Sequence, residues 1–344
     1  MDFTVIREFP PVELENAWRS FLAHARLPTH YTAPEFFLEK HLARRHPFAV
    51  LAIGRGGVAG VLTGLHESHR TVSGLAARPQ VCLNHCAASN AVTKALVDGL
   101  LAEAVSSDLV EVYSWIPLPV LETRGFRVHP MEGAVVLDLT QSPQALFRQL
   151  DKKRRNNVRF AEKHGVEVSE VRTPEEFRAY YQEVYCTWRA TRRKQIMGAE
   201  TELGGFERRF ELSDRRRLFV ARFEGKMAAG IFLRFQPDGL VEYAAGNSID
   251  EALYLKPNDL LQWRGIEWAC RQGFRTYSLG GAGPFHREFG GTVVPAYRYR
   301  LDRSWLHRYS LQDAMARSAR KILNVMPKPI QQVVRRELRA LRAS

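Results

Sequence analysis

The chain carries the stretch FVARFEGKMAAGIF at residues 219–232, which aligns without a gap with AVLAIGRGGVAGVL at residues 49–62. Each stretch reads as a strand, a tight turn and a second strand, because glycines in the turn permit the positive φ that tight hairpins need. The offset between the two is 170 residues, and it puts Gly60 and Gly230 at the same place. The sequence therefore predicts the same hairpin twice.

The elements after each hairpin also recur in the same order. In the first half we predict a helix over about residues 91–105 and a strand at residues 109–115. In the second half we predict a helix over residues 257–272, ended by Gly273, and a strand at residues 275–281. A recurring hairpin, helix and strand indicates a duplicated α/β unit with a mixed sheet.

Length and composition narrow the class of protein. A chain of 344 residues with 45% hydrophobic residues suits two domains with real cores. No apolar run reaches the roughly 20 residues that a membrane span requires, and the first residues lack the apolar segment of a signal peptide. Four cysteines favour a reducing, cytoplasmic setting. Cys82, His85 and Cys86 lie close together, but the other ligands of a zinc site are missing, so we predict no metal site.

The charge is unevenly distributed along the chain. Residues 1–140 hold 12 cations and 14 acids, whereas residues 141–344 hold 38 cations and 23 acids. The net charge is therefore −2 in the first part and +15 in the second. Such asymmetry indicates a polyanionic partner, which could be a nucleic acid, a phosphorylated substrate or an anionic membrane face.

Much of this charge lies in DKKRRNNVRFAEKHG, residues 151–165. Ser142 and Pro143 mark a helix start, and we predict one helix from there to Lys163, ended by Gly165. Five cations would share an arc of about 80° on it: Arg148, Lys152, Arg155, Arg159 and Lys163. We interpret this stripe as a binding site for tRNA or other phosphates. A solvated helix face is the alternative.

Four segments together resemble a known family. They are KPNDLLQWRGIEWACRQGFRTYSLGG at residues 256–281, YAAGNS at residues 243–248, FHREFGG at residues 285–291, and the basic helix at residues 151–168. In this order they resemble the motifs of the Fem-type aminoacyltransferases and related acyltransferases, which have a tandem acetyltransferase (GNAT) fold. The sequence departs from the family at Ser278, where an aspartate is usual, and at His286, where a lysine is usual.

The resemblance implies an α/β fold of two tandem GNAT-like domains with mixed sheets and a basic helical tail. The first domain would cover residues 1–140, the second residues 141–308, beginning with the basic helix, and the tail residues 309–344. An apolar stripe is predicted within the tail: Ile330, Val333, Val334, Leu338 and Leu341. The tail is suited to binding tRNA, to lying on an anionic membrane or to packing on a partner, and the sequence leaves these alternatives open.

The resemblance also implies N-acyl transfer, in which an amine attacks an activated ester or thioester. That reaction needs a proton acceptor and donors to the developing oxyanion. We expect His286 and Arg287 at the mouth of a cleft between the halves. The candidate catalytic residues are His286, Arg287 and Tyr277, and the candidate substrate-binding residues are Tyr243, Asn247, Gly280, Gly281 and Gly283.

The acyl donor is predicted from the residues around the start of the two predicted helices, at about residues 91–105 and 257–272. Coenzyme A enzymes of this fold hold pyrophosphate at a glycine-rich turn before a helix, but residues 84–92 and 252–259 contain no glycine. With the basic surface, this favours aminoacyl-tRNA as the donor and an amine of a peptide, peptidoglycan precursor or small molecule as the acceptor. No tightly bound cofactor is expected. The first alternative is an acyl-coenzyme A enzyme acting on an envelope polysaccharide or amino compound.

A further alternative is a non-catalytic protein that binds RNA or membranes on the same fold. For every one of these functions we expect a cytoplasmic protein that can reach the inner face of the membrane.

Overall fold

The computed structural model of the chain describes residues 1–25, 27–39, 45–73, 81–83, 90–192, 206–207, 214–237 and 239–327. The strands are β1 (Asp2–Ile6), β2 (Arg45–Gly54), β3 (Gly57–Glu67), β4 (Arg70–Ser73), β5 (Val81–Leu83), β6 (Leu109–Ser114), β7 (Arg127–Asp138), β8 (Glu167–Glu170), β9 (Arg216–Phe223), β10 (Lys226–Phe235), β11 (Leu240–Ser248), β12 (Thr276–Ser278) and β13 (Thr292–Asp302). The α-helices are α1 (Val12–His24), α2 (Asn90–Glu103), α3 (Pro119–Thr123), α4 (Pro143–Gln149), α5 (Lys152–Lys163), α6 (Pro174–Tyr180), α7 (Thr187–Arg192), α8 (Pro257–Arg271), α9 (Pro284–Arg287) and α10 (Arg308–Val325).

The strands form one open sheet in the order β1-β2-β3-β4-β6-β13-β7-β12-β11-β10-β9-β8, with β5 paired to β3. This order is symmetric about its centre, since the run β1-β2-β3-β4-β6 on one side corresponds to β8-β9-β10-β11-β12 on the other. In each run the last two strands are parallel and the earlier neighbours are antiparallel. The predicted duplicated α/β unit with a mixed sheet is confirmed.

The halves of the chain exchange strands at the centre of the sheet. Strand β7, from the first half, pairs with β12 of the second half, and β13, the last strand, pairs with β6 of the first half. The exchanged strands also pair with each other. Backbone hydrogen bonds therefore cross the predicted boundary at residue 140 in both directions. The division of the chain into domains at residues 140 and 308 stays a prediction.

Both repeated hairpins form, but their correspondence differs by one residue from the sequence alignment. Gly54 opens the first two-residue turn and Phe223 opens the second, an offset of 169 rather than 170. The second strand of each hairpin carries a bulge at the matching place. Gly60 therefore corresponds to Ala229 and not to Gly230. The small side chains at these positions made either alignment possible.

Each half covers one face of the sheet with a long helix. In the first half, α2 packs on the hairpin through Leu96 and Leu100. In the second half, α8 packs through Leu261 and Ile266, both fully buried. The predicted end of α8 is confirmed, because Gly273 has a φ of +78°, a conformation that glycine adopts without steric cost.

The basic region forms two helices instead of the one that was predicted. Ser142 caps α4 as expected, through a hydrogen bond that its side chain accepts. The chain then extends at Leu150 and Asp151, with ψ of 145° and 147°. The side chain of Asp151 accepts a hydrogen bond from the backbone of Lys153 and so begins α5. Leu150 is buried, which fixes the break in place.

The basic tail begins as the helix α10, whereas residues 328–344, with the apolar stripe predicted there, lie outside the described residues. His85 and Cys86 also lie outside them. Among the helices that the structure describes, none is long and apolar enough to cross a membrane.

Gly133 lies at the bulge where β7 pairs with β13, opposite Pro295. A Cβ atom at Gly133 would stand 1.8 Å from the carbonyl oxygen of Val294, so the two exchanged strands could not keep their spacing. We expect Gly133→Ala to lower the free energy of unfolding by about 1–3 kcal/mol, measured by urea denaturation. The matched control is Gly56→Ala, where a Cβ meets nothing within 4 Å. Equal unfolding midpoints for both variants would contradict this account.

Candidate functional site

The sheet opens into a wedge between β11 and β12. The two strands pair in parallel over only three residues, the last pair being Glu242 with Ser278. β12 then ends, while β11 continues to Ser248 paired with β10 alone among the described strands. The segment after β12 leans away onto β7, where the backbone N–H of Val135 donates to the carbonyl of Gly281 at 2.9 Å. Since β7 comes from the first half, both halves of the chain build the walls of the wedge.

His286 and Tyr243 lie beside this wedge. His286 is carried by the short helix α9, and its ring centroid stands 6.2 Å from that of Tyr243. The imidazole also lies against Gly281, where an added Cβ would be 3.1 Å from the Cε1 atom of His286. A side chain at Gly281 would therefore press on the ring and shift it by a few tenths of an ångström. The structure thus brings together four predicted site residues: Tyr243, Gly281, Gly283 and His286.

Gly280 and Arg287 border the same segment. Gly280 has a φ of +74°, which turns the chain from β12 towards α9. Arg287 is exposed, and its Nε atom donates to the carbonyl oxygen of Ala282. His286 is half-buried in contact with the wedge, whereas Arg287 folds back over the loop. The two neighbours therefore offer different groups to a ligand.

Tyr277, a predicted catalytic residue, lies in the interior of the protein. It is fully buried under α8, and its hydroxyl oxygen accepts a hydrogen bond from Gln262 at 2.7 Å. Burial raises the pKa of Tyr277 well above its usual value, because the phenolate would lose its hydration. In this position Tyr277 supports β12 from below, and its catalytic role stays a prediction.

Asn247 is also held in the interior. Its side-chain oxygen accepts a hydrogen bond from the hydroxyl of Tyr180 at 3.1 Å, and it is 5% exposed. This bond ties the end of β11 to α6. Asn247 therefore holds in place the end of the strand that borders the wedge.

A buried cation joins the basic helix to the site. Arg154 of α5 donates a hydrogen bond to Asp259 at 2.6 Å and forms an ion pair with Glu288 at 2.7 Å. Its guanidinium group also lies 4.4 Å from the ring centroid of Phe285. Phe285 and Glu288 flank His286 and Arg287 in the sequence. Arg154 therefore fixes α9, and with it His286, against α5 and α8.

The same contacts occupy the N-terminus of α8. Asp259 is the third residue of that helix and is 5% exposed. Besides Arg154, it accepts a hydrogen bond from the side-chain amide of Asn157 at 3.2 Å. A carboxylate in the first turn uses the positive end of the helix dipole, which would otherwise favour a bound anion.

The cationic stripe is divided by the break between α4 and α5. Arg155 donates to the carbonyl oxygens of Arg148 and Leu150, so it caps the end of α4. Arg159 lies over the ring of Phe147 at 5.4 Å. The side chains of Arg148, Lys152 and Lys163 are exposed. These last three are the members of the stripe best placed to meet phosphates.

Sequence reasoning missed the ion pairs of Arg154, although one signal was present. On the predicted helix, Arg154 falls among the apolar positions of Leu150 and Ala161, about 140° from the centre of the cationic stripe. A cation on the apolar side of a helix indicates a buried and paired charge. Its partners, Asp259 and Glu288, are more than 100 residues away in sequence and carried no local signal.

We expect Asp259→Ala to destabilise the protein by about 3–5 kcal/mol, because it leaves Arg154 buried without its closest carboxylate. Urea denaturation measures the change. The control is Glu162→Ala, which removes a carboxylate 2.8 Å from Arg264 in an exposed pair and is expected to cost less than about 1 kcal/mol. If both variants unfold at the same urea concentration, Arg154 does not hold the site together.

Residues 148–300 match the family model of the acetyltransferase (GNAT) domain. No curated protein matches the chain by sequence. Among solved structures, the chain is similar to FemX, with a TM-score of 0.67, 14% identity, and coverage of 88% of this chain and 98% of FemX. It is also similar to L-PGS from Bacillus licheniformis, with a TM-score of 0.57, 15% identity, and coverage of 92% and 98%.

A third similar structure is a tandem GNAT protein from the clavulanic acid biosynthesis pathway, with a TM-score of 0.57, 13% identity, and coverage of 88% and 99%. At such identities these likenesses show the fold alone, and they confirm the predicted tandem GNAT-like architecture. The wedge between β11 and β12, with His286 and the glycines beside it, lies within the matched GNAT domain. Residues 148–300 of the chain therefore match an acyltransferase domain of the GNAT type.

Proposed function

We propose that the protein transfers an aminoacyl group from aminoacyl-tRNA to an amine of a peptide, a peptidoglycan precursor or a small molecule. In this reaction the amine nitrogen forms a bond to the acyl carbon and the ester C–O bond of the donor breaks. The proton lost by the amine passes to the ribose oxygen that leaves. The reaction would take place in the cytoplasm, where charged tRNA is found.

The occupied N-terminus of α8 is the observation that carries the choice of donor. A pyrophosphate bound there would lie against the carboxylate of Asp259, which is buried and already paired with Arg154. A tRNA donor needs no such cradle, because its backbone binds through cations spread over a surface. Arg148, Lys152 and Lys163 offer such exposed cations on α4 and α5, and α5 is linked to α9 through Arg154.

We assign to His286 the role of accepting the proton of the attacking amine. Its ring lies against Gly281 and near Tyr243, at the edge of the wedge where an acyl carbonyl could enter. Backbone N–H groups around Gly280 and Gly283 would donate to the oxyanion that forms on the acyl carbonyl. Arg287, exposed on the neighbouring position, would contact the donor phosphates or the acceptor.

An acyl-coenzyme A donor is the second candidate, favoured by the match to the GNAT acetyltransferase model. The wedge between two parallel strands would also admit a thioester in extended form. The acceptor could then be an amine of an envelope polysaccharide or an amino compound. Binding measurements with both donors separate the two candidates.

The tRNA prediction concerns two exposed cations of α5. We expect Lys152→Ala/Lys163→Ala to weaken tRNA binding and to lower the slope of log affinity against log salt by about 1.5 units, since each lost phosphate contact lowers it by roughly 0.7–0.9. The control, Arg55→Ala/Lys226→Ala, removes two exposed cations from hairpin turns. Filter binding measures both. A wild-type protein that binds acetyl-coenzyme A in calorimetry but not tRNA would favour the second candidate.

The catalytic prediction concerns His286. His286→Ala should lower kcat by about 10²-fold, because it removes the group that we assign to the proton of the amine, and His286→Lys should retain turnover. Arg287→Ala should change kcat less than about fivefold, because we assign Arg287 to binding the donor or the acceptor and not to the proton of the amine.

The assay follows a labelled amino acid passing from tRNA, or a labelled acetyl group from coenzyme A, to a panel of peptide amines. Full activity in the double variant His286→Ala/Arg287→Ala would exclude a catalytic role for α9.

A further inference from the structure

Helix α10 turns an apolar stripe away from the rest of the protein. Leu311, Met315 and Ile322 recur on one side of the helix and are 55%, 71% and 57% exposed. Val325, at the end of the helix, is 87% exposed. An amphipathic helix of a globular protein normally points its apolar side at the core. Here, no described residue covers that side.

Ion pairs fix this orientation. Asp313 accepts hydrogen bonds from Arg298 at 3.1 Å and from Arg300 at 2.6 Å, both on β13. At 100° per residue, Asp313 lies about 160° around the helix from both Leu311 and Met315. The polar side of α10 is therefore held against the sheet, and the apolar side must face outwards.

The turn before α10 presents two more large apolar side chains. Trp305 is 83% exposed and Leu306 is 63% exposed. Leu306 and the following His307 both have positive φ, at 50° and 48°, which is uncommon for residues with a side chain. The carboxylate of Asp302 holds the turn, because it accepts hydrogen bonds from the backbone and hydroxyl groups of Ser304 and Ser310. A fixed turn thus displays Trp305 and Leu306.

We propose that these residues form a docking surface for an anionic lipid bilayer. The α10 surface consists of Trp305, Leu306, Leu311, Met315, Ile322 and Val325. The 18-residue helix is about 27 Å long, and its exposed apolar residues from Leu311 to Val325 span about 21 Å of that length. A tryptophan at one end suits the interface between lipid and water.

The positive charge of the C-terminal residues favours an anionic bilayer as the partner. Residues 317–344 carry eight cations and one acid in the sequence. Basic residues next to an apolar helix add attraction to anionic lipids. A second copy of the chain would bring the same positive charge and be repelled. The proposal goes beyond the transfer reaction and does not depend on which donor is used.

Vesicle flotation with the purified full-length chain tests the α10 surface, with neither donor nor acceptor present. We expect the wild type to float with vesicles that contain phosphatidylglycerol and not with pure phosphatidylcholine. Leu311→Gln/Met315→Gln/Ile322→Gln should lower the bound fraction about tenfold or more. The matched control is Val12→Gln/Leu38→Gln/Val105→Gln, which changes three apolar residues that are equally exposed elsewhere. Brominated lipids should quench the tryptophan fluorescence of the wild type more than that of the Trp305→Phe variant.

Three outcomes would overturn the proposal. One is a wild type that floats with neither kind of vesicle. Another is a wild type that sediments as a dimer while the triple α10 variant is monomeric, which would make the surface a contact between copies. The third is unchanged flotation together with a lower Tm in the triple variant, which would mean that another part of the chain covers the stripe.

Discussion

The pairing of β7 with β13 is the constraint on which the molecule depends. These strands come from opposite halves of the chain, and each also completes the sheet of the other half by pairing with β12 or β6. Because every one of these contacts is a ladder of backbone hydrogen bonds, the halves cannot separate without exposing strand edges. The segment around Glu35 strengthens the junction, since its carboxylate pairs with Arg215 of the second half.

The sheet opens on one side of this centre, between β11 and β12. β12 is only three residues long and is held between β7 and α8, so β11 can run past it and leave the wedge. Three charged side chains meet at the start of α8, beside this opening. Asp259 is buried and Glu288 is half-buried, and Arg154 pairs with both while it fixes the helix that bears His286. Site geometry and fold stability therefore share the same contacts.

Local patterns predicted those parts of the fold in which neighbours in sequence determine the structure. The duplicated hairpins, the helix α8 and its glycine end were predicted from turn residues and periodicity, and they formed. The prediction failed where a single buried residue redirected the chain. One continuous helix was expected across Leu150 and Asp151, but burial of Leu150 and capping by Asp151 divide it. The offset of 170 was similarly one residue too long, because small side chains align equally well in either register.

The sequence by itself determined the two α/β units, the concentration of positive charge in the second half and the glycine-rich segment beside His286, because each is written in residues close together along the chain. Only the tertiary structure decided that the halves exchange strands, that Tyr277 is buried, that Arg154 is paired with Asp259 and Glu288, and that α10 faces outwards. The physical reason is that hydrogen-bond partners and burial depend on residues more than 100 positions apart. The residues around a cation in the sequence do not show which distant carboxylate it will pair with.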